Sequence, residues 1–431
     1  MQIPSKEAKR SQFISSKLLG RKREPVEIVR EEPIESIMKE IDTETTIDRN
    51  EVIDTCEDLL AEKLRAFKRE SMTQYLNYAL TTTFPPQMTA LDASQPWMVY
   101  WVANSLAVIE PSALDDELKH KIVNKLFSIS PTKGPFGGGQ GQLPHIAGTY
   151  AAINALALCD NIDNCWDSIN RQAIYEWLLS LKQPDNSFAT CIPVGETDTR
   201  GTYCALSVAS MLNIMSEELT AGVAEYLQNC QTYEGGYGGT PLGDEAHGGY
   251  TFCAVASLLI LRRSDLINIE NLMEWCSARQ FNEEMGLSGR NNKLVDGCYS
   301  FWVGATAAMI EGVLGVECVE KSALRRYILN CCQSDERPGF RDKPGKNPDF
   351  YHTNYVLLGL AYTESSFSYK DIEKADPFSL VSMSNADIEN PTGLALISPI
   401  YGLPSSALTK FHHHFVDSKN DFTTNLSKLD I

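Results

Sequence analysis

The chain has 431 residues, 43% apolar and 22% charged, a balance that suits a large buried core in one domain or two. Its 56 acidic against 38 basic residues give a formal charge of −18, which excludes a general nucleic-acid or anionic-membrane binder, because such binding needs a basic face. A small basic pocket stays compatible with that charge.

In chain order, residues 1–50 are polar and charged and read as a flexible or loosely helical segment. No apolar run near the start suits a signal peptide, and none approaches the roughly 18 residues of a spanning helix. Twelve cysteines without a secretion signal are expected as free thiols, so a cytoplasmic protein is predicted. From Glu51 to Leu80 the periodicity predicts helix, with Leu59, Leu60, Leu64 and Phe67 on one side.

The middle repeats itself. Gly-rich or polar loops lead into apolar helices opened by a small hydroxyl residue: Thr149, Thr202, Thr251, Ser300 and Thr353, which are 53, 49, 49 and 53 residues apart. Each interval holds a second helical pattern: Ile174 to Leu181, Glu218 to Leu227, Leu272 to Gln280 and Leu324 to Cys332. Helix hairpins of about fifty residues stack as an open solenoid or close into an α/α barrel, and the Gly-rich loops favour closure. The expected fold is all-α, with a barrel over 51–365 and a C-terminal extension over 366–431 packing on or near it. Within the extension, Pro391 to Leu403 is extended and turn-rich, and His412 to His414 read as an exposed helix face.

The stretch from Arg290 to Trp302 concentrates chemistry. Asp296 and Cys298, two apart, can reach one metal ion, and a carboxylate with a thiolate suits zinc. His352, one repeat later at a helix start, is the candidate third ligand, leaving one position open as in catalytic sites. A blander reading has Cys298 in the core, Asp296 capping a helix and His352 in a loop, and spacing alone leaves both open. His247, Arg290, Lys293 and Tyr299 are donors for an anion such as phosphate, and Asp342 is a candidate magnesium carboxylate. Trp97, Trp101, Tyr150, Tyr203, Tyr250, Cys253, Trp302 and Tyr355, with Arg200 nearby, form a candidate apolar wall, or simply an aromatic core. Together these features suggest chemistry on a phosphorylated lipid.

Several motifs carry a resemblance: Leu91 to Trp97, Gly134 to Leu143, His247 to Tyr250, Arg290 to Trp302 and Asp349 to His352. In this order they resemble the β subunits of protein farnesyltransferases, of fungal type, within the protein prenyltransferase β-subunit family. The resemblance runs from about Pro85 to Tyr362, with a weaker echo at Pro399 to Pro404.

It implies an α/α barrel, an obligate helical α subunit, and one zinc ion on Asp296, Cys298 and His352. Farnesyl would pass from farnesyl diphosphate to the cysteine of a C-terminal CaaX motif, with Tyr299 and Asp342 among the catalytic positions and magnesium joining the diphosphate. The diphosphate and prenyl chain would lie against Arg200, Tyr203, His247, Gly248, Gly249, Tyr250, Cys253, Arg290, Asn291, Asn292, Lys293, Tyr299, Ser300, Phe301, Trp302, Trp97 and Tyr355. The peptide would lie along Trp97, Trp101, His145, Ala147 and Tyr351. The nearest alternative is a geranylgeranyltransferase type I β subunit. Bulky Trp97 and Tyr355, and Asp342 in place of lysine, favour farnesyl. A terpene-cyclase-like barrel would want an acidic protonating motif that this sequence lacks, and a non-catalytic scaffold is the remaining alternative.

Overall fold

In the computed structural model, residues 43–243, 245–371 and 374–417 are described. Most of the polar N-terminal segment, residues 1–42, lies outside them. The first described helix, α1 (Glu44–Ala61), already begins within the stretch read as loosely ordered. The described residues from Thr45 onward form one compact unit.

The single helical span expected over 51–80 is broken. α1 ends at Ala61, and α2 (Arg69–Thr81) follows an extended link. Polar side chains from a distant turn hold that link in place of helical bonds. Asn330 accepts from Arg65 N–H at 3.1 Å and donates to Leu59 C=O at 2.8 Å. Gln333 accepts from Lys68 N–H at 3.0 Å. Leu64 and Phe67 therefore lie on the link, where Phe67 stacks on Phe340.

Six apolar helices form the inner ring: α3 (Gln95–Ile109), α5 (Ile146–Ala157), α7 (Thr199–Met211), α10 (Gly248–Ile260), α12 (Tyr299–Leu314) and α14 (Phe350–Thr363). Each packs on the next, and α14 packs on α3, so the ring closes. Returning outer helices are α4 (Asp116–Ile129), α6 (Arg171–Leu181), the pair α8 (Glu217–Thr220) and α9 (Val223–Asn229), α11 (Ile269–Ser277) and α13 (Lys321–Tyr327). The pattern over 218–227 is thus split in two, and that over 324–332 ends as a π-turn at Ile328–Cys332. Because an outer helix returns the chain each time, all inner helices run the same way and their N-termini share one end.

The repeated hydroxyl has a structural cause. Thr149, Thr251 and Thr353 accept hydrogen bonds from the backbone N–H of Phe136, Tyr237 and Phe340 at 2.9, 2.9 and 3.0 Å. Each one locks the preceding loop onto its inner helix and satisfies a buried donor. Thr202 instead donates to the Asp198 carbonyl, and the buried Ser300 hydroxyl makes no hydrogen bond among the described residues.

The extension contributes a two-stranded antiparallel pair, β1 (Ser365–Tyr369) and β2 (Leu380–Ser384), which sequence periodicity did not indicate. The turn-rich segment at 397–404 closes the ring's far end. Gly402 C=O accepts from Tyr100 and Asn104, and Ile400 C=O accepts from Tyr203. The last helix, α15 (Ser405–Asp417), carries the histidine run, but only His413 is exposed. His412 stacks on Phe378 at 3.6 Å, and His414 faces Asp167 at 3.1 Å.

Candidate active site

Polar side chains hold backbone N–H groups at the starts of four inner helices, and in the turn just before a fifth, at the shared N-terminal end. His145 Nδ1 accepts from Ala147 N–H, Asp198 from Arg200 N–H and His247 Nδ1 from Gly249 N–H. Asp296 accepts from Cys298 N–H and Asp349 from His352 N–H. One structural need, satisfying orphan helix donors, thereby gathers three carboxylates and two imidazoles around one opening.

At the α12 and α14 corner, the ligand atoms of Asp296, Cys298 and His352 lie within 4.8 Å of one another. They are the one such cluster among the described residues. His352 Nε2 is buried without a hydrogen-bond partner and stands 3.3 Å from Asp296 Oδ1. Its Nδ1 is held by Asp349 at 2.7 Å, which fixes the ring and turns Nε2 toward the cluster, as second-shell carboxylates do for metal-binding histidines. Burial disfavours the charged ring, yet the flanking Asp296 and Asp349 carboxylates push His352 up to about 10. Burial also raises the Cys298 thiol, with the neighbouring Asp296 adding to it. These shifts come from three ligand-type groups crowded together. The donor set fits zinc, with one position left open.

Next to this corner, Tyr299 Oη and His247 Nε2 are 3.0 Å apart. Since Nδ1 accepts from Gly249, neutral His247 carries its proton on Nε2 and presents a donor. Burial, reinforced by Arg290 and Arg200, lowers its pKa to about 4. The Tyr299 ring fits only because residues 248 and 289 lack side chains: a Cβ at Gly248 would meet it at 2.8 Å, and one at Gly289 at 1.9 Å. Gly248 thus packs against a donor, while Gly249 faces the cavity. Arg290 reaches Glu245 at 3.3 Å, and Lys293 is exposed. Asp342 is engaged by Lys343 Nζ at 2.5 Å to each oxygen.

Beneath these donors lies a cavity of about 390 Å³. Trp97, Trp101, Tyr150, Tyr203, Trp302 and Tyr355 supply most of its aromatic wall.

These residues can be set beside known proteins. A family profile described as "Prenyltransferase alpha-alpha toroid domain" matches residues 67–401. The "Protein farnesyltransferase subunit beta" of Saccharomyces cerevisiae is 54% identical over 94% of this chain and 96% of its own length. The chain belongs to the protein farnesyltransferase β subunits. The β subunit of Schizosaccharomyces pombe is 41% identical, covering 76% of this chain and 88% of its own. A solved structure titled "Candida albicans protein geranylgeranyltransferase-I complexed with GGPP" has the same fold, with a TM-score of 0.64, 20% identity, and coverage of 81% of this chain and 99% of that one.

Within this farnesyltransferase barrel, most of the expected wall converges: His145, Ala147, Arg200, Cys253 and Tyr351 line the cavity beside the aromatic residues. Tyr250 lies at its edge, with its ring beside His247 and beneath Arg200. Four expected contacts lie elsewhere. Phe301 packs in the core against Phe252, Tyr355 and the far-end segment. Ser300 faces Gly359 across a helix contact. Asn291 is bonded to Glu234 and Arg279, and Asn292 is exposed. Sequence reasoning missed Thr190, Glu196 and Asp198 in the lining. Asp198 holds Arg200 through three contacts of 2.6–3.2 Å. Its place before a repeated hydroxyl-opened helix is the helix-cap signal that could have found it.

Proposed function

We propose that this chain is the catalytic β subunit of a protein farnesyltransferase, with the transfer carried out at the cavity mouth just described. The observation that carries the residue assignments is the juxtaposition of a buried Asp296–Cys298–His352 cluster, a ring of anion donors and an aromatic cavity. The absence of disulfides among its twelve cysteines suits a reducing, cytoplasmic setting. No described helix is long and apolar enough to cross a membrane.

Asp296, Cys298 and His352 would hold zinc, which when bound lowers the pKa of a substrate thiol so that it can attack. The remaining work falls to the chain's own side chains. His247 Nε2–H, Tyr299 Oη–H, Arg290 and Lys293 receive the charge that grows on the departing diphosphate, and the α10 N-terminus adds its dipole. His247 and Tyr299 are fixed before the reaction by capping and close packing, so little reorganisation is required of them. The aromatic wall takes the prenyl chain out of water and points its first carbon at the cavity mouth. Trp101, His145, Ala147 and Tyr351 are assigned to the CaaX peptide. Asp342 is a candidate for magnesium, but Lys343 must first release its carboxylate.

The catalytic form is read as a heterodimer with a farnesyltransferase α subunit. The deciding experiment measures zinc and farnesyl transfer in co-expressed wild type and Cys298→Ala. Loss of both, with farnesyl diphosphate binding kept, is expected; full zinc content in the variant refutes the ligand assignment.

A further inference from the structure

His247 and Arg290 sit on separate loops, and a neighbour of each is bonded to one carboxylate. Glu234 accepts from Ala246 N–H at 3.1 Å through Oε1, and from Asn291 Nδ2 through Oε2. Asn291 Oδ1 in turn accepts from Arg279 Nη2. Arg279 is 4% exposed, lies over the Trp275 ring at 5.1 Å, and leaves Nε and Nη1 without a hydrogen bond. Its buried charge offsets that of Glu234. The amide orientation of Asn291 is settled by these neighbours, since only nitrogen can face the carboxylate and only oxygen the guanidinium. None of the three residues lines the cavity.

We infer that Glu234 and Asn291, backed by Arg279, are positioning residues for the diphosphate donors His247 and Arg290. The inference rests on the proposed diphosphate assignment of those two donors. The Arg290 side chain is 41% exposed and, among the described residues, its one ion pair is with Glu245, so the anchoring of its backbone decides where its guanidinium can reach. His247 is likewise aimed by the backbone just before it, which Ala246 ties to Glu234. The clamp joins two loops that approach the anion from different repeats and keeps their donors at a fixed separation, the preorganisation on which tight binding of a charged group depends.

The test uses the complete heterodimer, with zinc content and Tm measured for every variant. Competition binding compares farnesyl diphosphate with farnesol, which has the same chain and no diphosphate. Glu234→Gln keeps the size but offers one acceptor oxygen instead of two. By Coulomb's law alone, deleting an anion near the site would tighten diphosphate binding; positioning predicts the opposite sign, a loss of about tenfold with farnesol unchanged. Asn291→Asp sets two carboxylates face to face and is expected to weaken binding similarly. The double variant Glu234→Gln/Asn291→Asp exchanges donor and acceptor at constant net charge, and the introduced carboxylate still meets Arg279. It should recover to within about threefold of wild type, a coupling that independent sites would not show.

Unchanged or tighter farnesyl diphosphate binding in Glu234→Gln overturns the inference, as does a double variant no better than the single ones. Parallel loss of farnesol binding and zinc marks a merely structural role and also overturns it. Arg290→Ala separates the two levels. If it weakens farnesyl diphosphate but not farnesol while Glu234→Gln changes neither, the clamp alone is refuted. If Arg290→Ala affects both ligands equally, the diphosphate assignment falls and the inference with it.

Discussion

Donor length is expected to be set by bulk in the aromatic wall, and Trp97→Thr tests this directly. The Trp97 ring lies 5.5 Å from Trp101 and 5.6 Å from Tyr150, and Tyr355, 2% exposed, lies 4.2 Å from Trp302. A geranylgeranyl chain buries about five more carbons than farnesyl, worth roughly 3–4 kcal/mol at about 0.8 kcal/mol per methylene. An open pocket would therefore prefer the longer donor by roughly two to three orders of magnitude. Preference for farnesyl requires a clash that costs more than this, and Trp97 supplies one of the three indoles in the lining. Trp97→Thr, alone or with Tyr355→Phe, should raise the ratio of kcat/KM for geranylgeranyl over farnesyl diphosphate by at least about 100-fold. Competition between the two donors on one CaaX peptide measures the ratio, and zinc content and Tm show whether the site survives. A double variant with full zinc that still rejects the longer donor refutes the steric argument. So does a wild type that already prefers it.

Asp342→Lys should abolish most magnesium stimulation of turnover and leave zinc in place; an unchanged magnesium response would leave Asp342 as the loop partner of Lys343. Thr251→Val strips the acceptor from buried Tyr237 N–H and should cost about 1–3 kcal/mol in denaturant unfolding. Ser300→Ala, whose hydroxyl has no partner, should be nearly neutral; equal costs would disprove the role given to the repeated hydroxyl. His247, held at about 4, stays neutral where an unfolded histidine protonates below about 6.5. The unfolded state then binds the extra proton, so this contribution is intact above that pH and fades as pH falls towards 4. His247→Asn should flatten that part of the stability profile, and an identical slope would contradict the assignment.

The repeat, ring closure and the grouping of Asp296, Cys298 and His352 were legible in the sequence because each follows a local rule: a recurring hydroxyl, glycine before a tight loop, ligand-type residues at helix starts. The break between α1 and α2 was not, because Asn330 and Gln333 replace the helical bonds from more than 260 positions away. Phe301 and Ser300 show a similar limit. They share a motif with Trp302, but successive residues on one helix face different neighbours, and only Trp302 reaches the cavity. The Glu234–Asn291–Arg279 group joins three separate loops, which no single spacing reveals.

The segment at 397–404 ties the order of synthesis to activity. It seals the ring's far end through Tyr100, Asn104 and Tyr203, side chains made roughly 200 to 300 positions earlier. Tyr203 also lines the aromatic cavity. A ribosome-bound chain that already carries Asp296, Cys298 and His352 therefore still lacks the segment that holds Tyr203 of the cavity wall. A complete ring would arrive only after the 397–404 segment has emerged, and a premature stop before Ile397 would leave its far end unsealed.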